Sequence, residues 1–146
     1  MLTCENLSFA IDGHKLIKDI NFNIQSQKDL LITGPSGFGK TTLLSILCGL
    51  QKPTEGNVKY DEINLYDLDE DKIDDFRGKK LGIVFQNFNL INAFTVKQNL
   101  DLANSIFNFK DNDQLYYLLE RIGLAEKSHI IVSKLSTGEK QRLAVA

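Results

Sequence analysis

Cysteine, proline, clustered positive charge and long apolar runs are all scarce in this chain, and each scarcity removes a class of protein. Two cysteines, Cys4 and Cys48, sit far apart with no further ligand spaced near either. A disulfide scaffold or a cysteine metal site is therefore excluded, and both read as reduced, buried thiols. The two prolines, Pro35 and Pro53, lie in separate loops, and neither a low-complexity linker nor an internal repeat is present. With 17 basic against 19 acidic residues the net charge is −2. No basic block or aromatic-interleaved Lys/Arg patch occurs, so nucleic-acid binding has no compositional support. No apolar run approaches the roughly 18 residues of a membrane span, and the N-terminus lacks a charged-then-apolar leader. The reading is a soluble, cytoplasmic chain. What remains is the composition of one ordinary domain: 146 residues, 42% hydrophobic and 25% charged.

One stretch organises the rest. Gly34-Pro35-Ser36-Gly37-Phe38-Gly39-Lys40-Thr41-Thr42 fits the pattern G-x-x-x-x-G-K-[ST]. By chance that pattern arises in well under about one chain in a hundred of this length. The apolar run Leu30-Leu31-Ile32 before it reads as a short buried strand, and Leu43, Leu44, Ile46 and Leu47 after it read as a helix. A loop that wraps a polyphosphate must turn successive backbone N–H groups inward, which Gly34, Gly37 and Gly39 permit. A helix starting near Lys40 adds its positive N-terminal end. In that pattern Lys40 reaches the β- and γ-phosphates and the Thr41 hydroxyl ligates Mg²⁺. The rival is a glycine-rich turn with a surface lysine.

The flanking chain alternates strands and helices. Leu2–Ile11 and Leu16–Ile24 read as strands joined at Asp12-Gly13, with Ile20, Phe22 and Ile24 facing inward and Asp19, Asn21 and Asn23 facing water. His14, beside that turn, reads as a solvated loop residue. Val58 and Tyr60 suggest a further edge strand. The acidic stretch from Asp61 to Asp75 reads as the solvated face of a short helix, with Leu68, Ile73 and Phe76 at helical spacing, in preference to a metal site. Leu81–Phe85 reads as a strand inside a parallel sheet, closed by Gln86. Val96, Leu100, Ala103 and Phe107 form one helical stripe behind a Thr95–Gln98 capping box. Leu115, Leu118, Leu119 and Ile122 form another, stopped at Gly123. Finally, Ser136-Thr137-Gly138-Glu139 is itself a capping box that opens a helix through Leu143, and a helix N-terminus with glycine at close approach is an anion site.

Three of these motifs together carry a resemblance. Leu135-Ser-Thr-Gly-Glu-Lys-Gln-Arg-Leu-Ala144 resembles the signature sequence of the ATP-binding cassette (ABC) ATPases. It begins 101 positions after Gly34 (135 − 34), the separation that family shows. Gln86 in Ile83-Val-Phe-Gln-Asn-Phe-Asn-Leu-Ile91 resembles the family's Q-loop glutamine, and the opening strands resemble those that cover the nucleotide base. The likeness spans the chain and implies an α/β P-loop NTPase fold. Its parts would be a RecA-like core with N-terminal antiparallel strands (residues 1–86), a helical subdomain (87–135) and the signature helix (136–146), all one incomplete domain. It implies ATP and Mg²⁺ as ligands, with Gln86 contacting the metal and the attacking water. Ser136, Thr137, Gly138 and Glu139 would close on the γ-phosphate held by a second, facing subunit in a head-to-tail dimer. It also implies a membrane-spanning partner, whose coupling helix would meet Phe88, Leu90, Ile91 and Phe94. Through that partner the chain would sit peripherally at the inner face of the cell membrane. Ordinary packing is the rival for those four residues. The wording of the motifs is nearest to the lipoprotein-release and macrolide or peptide-export branch.

Departures from the family pattern carry expectations of their own. Phe38 replaces a small residue on the crest of the loop, which should loosen or alter contact with the partner's signature, and Thr137 replaces a glycine and should crowd the phosphate. Ile11 stands where an adenine-stacking aromatic is usual, with Phe9 as a possible substitute, and Gln27-Lys28 replace the usual Gly-Glu turn. The apolar strand ending in Asp, the catalytic Glu and the switch His that follow in the family are absent, and neither His14 nor His129 is in place to serve. No catalytic residue is therefore assigned. The expectation is a C-terminally truncated piece of a longer ATPase, poorly stable and inactive when made alone. The rivals are a non-catalytic remnant that binds nucleotide or a partner only, and a non-transport ABC ATPase.

Overall fold

The computed structural model describes the backbone of residues 1–107 and 112–146, and the side chains of 1–106 and 115–146. The chain divides into two compact units, Met1–Gly82 and Ile83–Ala146.

The first unit is built on a four-stranded antiparallel sheet in the order β2-β1-β3-β4, from β1 (Leu2–Ile11), β2 (His14–Ile24), β3 (Glu55–Tyr60) and β4 (Ile63–Asn64). Asp12 and Gly13 both take positive φ, 49° and 78°, as a two-residue hairpin loop of the twisted kind requires. β1 pairs with β2 as Cys4↔Phe22, Leu7↔Ile20, Phe9↔Ile17 and Ile11↔His14. The register shifts on the way, and between the pairs Phe9↔Ile17 and Ala10↔Lys15 it leaves Leu16 as an extra residue. Cys4, Leu7, Phe9 and Ile17 point to one face with Val58 of β3, and α1 (Lys40–Leu47) lays Leu43, Ile46 and Leu47 on them. That apolar layer is the core of the unit.

The Val58–Tyr60 strand is not an edge. β3 lies between β1 and the two-residue β4, so the hydrogen-bonding side expected to face water is occupied. Two other expectations are overturned. Leu30-Leu31-Ile32 forms no ladder and is not buried: Leu31 is 84% exposed, and only Ile32 packs against the core. Leu81–Phe85 likewise forms no ladder, with Val84 51% exposed, so Gln86 closes no paired strand. An apolar run is a strand only when a neighbour takes up its N–H and C=O groups, and neither segment has such a neighbour among the described residues.

The acidic stretch is solvated, as expected. α2 (Glu70–Lys80) starts at Asp69, whose side chain accepts from the Lys72 N–H, and it buries no residue fully. Its Phe76 ring lies 5.1 Å from that of Tyr60. No metal-ligating cluster occurs among the described residues.

In the second unit the Thr95–Gln98 box opens α3 (Val96–Phe107). The Thr95 N–H donates to Gln98 Oε1 at 2.9 Å, and the Gln98 N–H to Thr95 Oγ1 at 3.1 Å. α4 (Asn112–Arg121) stops where Gly123 turns to φ 67° and the Leu124 N–H returns to Leu119 O at 2.8 Å. Val96 and Leu100 of α3, Leu119 of α4, and Leu124, Val132 and Leu135 of the connecting turns form the second core. Leu143 of α5 (Thr137–Val145) completes it. The side chain of Phe107, the fourth member of the α3 stripe, lies outside the described residues.

Candidate functional site

The glycine-rich loop ends on Gly39, which takes φ 79° as the N-cap of α1 and accepts the first helical hydrogen bond from the Leu43 N–H at 2.8 Å. A Cβ at Gly39 would meet Leu16 Cγ at 3.1 Å and Ile17 Cγ1 at 3.4 Å. The irregular pairing at Leu16 thus seats the loop on the start of β2, and glycine keeps the fit. Inside the loop the Lys40 ammonium donates to Gly34 O at 2.8 Å and Pro35 O at 2.6 Å, so its charge is held within the loop's own curve. Gly34, Pro35, Ser36, Gly37 and Thr41 are exposed, while Thr42 is half-buried. No acidic residue occupies the first turn of α1 to compete with an anion. Phe38, flanked by two glycines of positive φ, is thrown outward and is 71% exposed.

The far end of α1 is tied down. The Tyr60 hydroxyl donates to Leu47 O at 2.8 Å, and the Tyr66 hydroxyl lies against Ile46 O and Gln51 O. Burial pushes the Tyr60 phenol up to about 12 and Tyr66 upward as well, so both stay neutral donors. Cys4 and Cys48 are free; burial raises both thiols, Cys4 to about 11, which makes them poor nucleophiles.

In the second unit Gln86 lies exposed in a turn over residues 86–89, where Phe88 and Asn89 take positive φ. Ser136 caps α5 with both halves of the expected box formed. The Glu139 N–H reaches Ser136 Oγ at 3.3 Å, and Glu139 Oε2 accepts from the Ser136 N–H at 2.8 Å. Thr137 and Gly138 are exposed at the helix start, where the first N–H groups have no intrahelical partner. Sequence reasoning missed Lys127, whose ammonium donates to Glu139 Oε1.

One chain thus carries a lysine-filled glycine loop opening a helix and, about a hundred residues on, a capped helix with an open first turn. Comparison with known proteins decides what this means: residues 17–146 match the model of the ABC transporter family. The chain belongs to that family. Among ABC ATP-binding proteins it is 35% identical to YvrO of Bacillus subtilis over 153 residues, covering all of this chain and 67% of YvrO. It is 36% identical to the methionine import protein MetN of Clostridium acetobutylicum, of which it covers 46%. The dimeric structure of the ABC cassette MJ0796 superposes with a TM-score of 0.84 at 34% identity, over 99% of this chain and 67% of that one. The ABC chain described here therefore has the P-loop NTPase fold, and it spans from under half to about two thirds of the length of these relatives.

The two β1 residues considered for contact with a base differ in access. Phe9 is 8% exposed and packed in the core with α1, so its ring is closed to a ligand. Ile11, two residues on, is 50% exposed and presents an aliphatic surface.

The cassette's Glu139 carboxyl is held down to about 2, chiefly by the hydrogen bond from Lys127, then by those from the Ser136 hydroxyl and N–H. A carboxyl lower in the folded than in the unfolded state stabilises the fold fully above its unfolded value of 4.5. That contribution is lost as pH falls through 4.5 toward about 2. Carboxyl NMR of the full-length protein should find Glu139 still ionised at pH 3.5, and a midpoint near 4.5 would refute the arrangement.

Proposed function

We propose that this chain is the nucleotide-binding part of an ABC transporter ATPase subunit, which couples ATP binding and hydrolysis to a membrane partner. The observation that carries the reading is the Lys40-filled loop at the head of α1, in one chain with the open-ended, boxed helix at Ser136–Glu139. Gly34 to Thr42 would cradle the triphosphate, with Ile11 beside the base. The Thr41 hydroxyl at the head of α1 would hold Mg²⁺, an ion that keeps several waters and takes phosphate oxygens as its other ligands. Bound there, the ion would neutralise phosphate charge. No general base is assigned among these residues.

Ser136, Thr137, Gly138 and Glu139 would complete the site of a second subunit, head to tail. Two structures of the cassette MJ0796, one a dimer and one a dimeric post-hydrolysis state bound to ADP and phosphate, support this reading. A groove of about 290 Å³ lined by Phe88, Leu90, Ile91, Leu102 and Ile106 supports a membrane-subunit contact on the second unit. Among the described residues no helix is long and apolar enough to cross a membrane; in this reading attachment at the inner face of the cell membrane runs through that partner.

Sedimentation velocity of the full-length protein tests the reading. With Mg²⁺ and a slowly hydrolysed ATP analogue the protein should shift from monomer to dimer, and without nucleotide it should not. A protein that binds ATP and stays monomeric would instead be a nucleotide-binding remnant.

A further inference from the structure

We propose that Lys127 is a positioning residue for the signature turn Ser136–Gly138, fixing it through Glu139 and cancelling the charge that Glu139 brings to the helix start. The proposal rests on the head-to-tail reading above. Both Glu139 oxygens are committed: Oε2 to the Ser136 N–H at 2.8 Å and the Ser136 hydroxyl at 2.7 Å, Oε1 to the Lys127 ammonium. Glu139 is thereby withdrawn from solvent, its side chain 15% exposed against 51% for Lys127.

Lys127 itself stands on a fixed base. It ends the 3₁₀ turn Ala125–Lys127, its N–H bonded to Leu124 O at 3.0 Å, and Leu124 is sunk in the core of the second unit. A second tie leaves the same segment for the same helix, from Arg142 Nε to Ile122 O at 2.8 Å. Residues 122–127 therefore grip α5 at two points, at Glu139 in its first turn and at Arg142 three residues on. A half-exposed lysine in a surface ion pair adds little to stability, so stability does not account for the first grip.

Charge does. The first N–H groups of α5 favour an anion, yet Glu139 places a full negative charge beside them. An arriving polyphosphate would be repelled by a bare carboxylate. With Lys127 on one oxygen and Ser136 on the other, the carboxylate's charge is balanced by an ammonium and its position is fixed.

The test compares Lys127→Met, which keeps the stem and removes the ammonium, with Lys127→Arg in the full-length protein. Three quantities are read: fluorescent-ATP affinity of the monomer, the ATP concentration for half-maximal dimerisation, and the thermal midpoint. Lys127→Met should raise the dimerisation concentration about tenfold, the size of a lost charge-assisted hydrogen bond. Monomer affinity should not move, melting should fall by no more than the few degrees that a surface ion pair is worth, and Lys127→Arg should restore dimerisation to within about twofold. Wild-type dimerisation by the Met variant, failure of the Arg variant to rescue, or a melting point lowered by more than about ten degrees together with the loss of dimerisation each overturns the proposal. A wild-type protein that never dimerises with ATP overturns the head-to-tail reading and this proposal together.

Discussion

Lys40→Ala in the full-length protein should weaken MgATP binding by at least about a hundredfold, because each hydrogen bond to a charged group is worth about 1.5–3 kcal/mol and the ammonium would make at least two to phosphate oxygens. The loop is already arranged around that charge. Lys40 Nζ lies between Gly34 O and Pro35 O, so its ammonium stands within the curve that a polyphosphate would fill. Removing it leaves the carbonyl oxygens facing the phosphates with no cation between them. The fold should be indifferent, since both bonds are solvent-exposed and α1 is held by Leu43, Ile46 and Leu47. Titration calorimetry together with a thermal melt separates the two effects. A dissociation constant within about threefold of wild type would remove Lys40 from the site, and with it the loop's claim to the triphosphate.

The largest loss of stability should come from Gly56→Ala, far from any motif. Gly56 sits in β3 at φ 88°, where its added Cβ would lie 2.4 Å from Asn6 O and 2.5 Å from Glu5 O. Those are backbone atoms of β1, and they cannot rotate away. The left-handed backbone alone costs about 1–2 kcal/mol for a side-chain-bearing residue. Forcing β1 and β3 apart brings the total to roughly 3 kcal/mol or more, within the range of severe single substitutions. Gly13→Ala is the matched control. It shares a positive φ of 78° but meets nothing within 4 Å, so it should show the backbone cost alone. Denaturant midpoints of the full-length protein that fall equally for the two variants would mean the sheet accommodates the clash.

What the sequence made legible was local. The hairpin at Asp12-Gly13, the helix after the glycine loop, both capping boxes and the stop at Gly123 each depend on residues within a few positions of one another, and all are in place. What it hid depends on partners distant in the chain. Leu30–Ile32 and Leu81–Phe85 have the composition of buried strands, but pairing makes a strand, and here no ladder reaches them. Phe9 and Ile11 share a face by alternation, and only the position of α1 shows that the first is sealed and the second open. Lys127 lies 12 residues before Glu139 in a turn that carries no motif, so nothing in the sequence singled it out.

The site at the level of motifs was therefore readable, while the residues that hold it in place were not. Gly39 illustrates the difference. The pattern demands glycine there for a phosphate to approach, and the structure adds that Leu16 and Ile17 crowd it from behind. The same residue is constrained from both sides for unrelated reasons.

The two phenols at the far end of α1 also have an optical consequence. The chain has four tyrosines and no tryptophan, so its near-ultraviolet emission is tyrosine emission alone. Tyr60 and Tyr66 rest on carbonyls of the last turn of the helix whose first turn holds Lys40, whereas Tyr116 and Tyr117 lie in water on α4. Any displacement of α1 along its axis must lengthen or shorten those two phenolic hydrogen bonds. The chain thus carries a built-in chromophore pair at the opposite end of the helix from its phosphate loop, sensitive to movement there without any label.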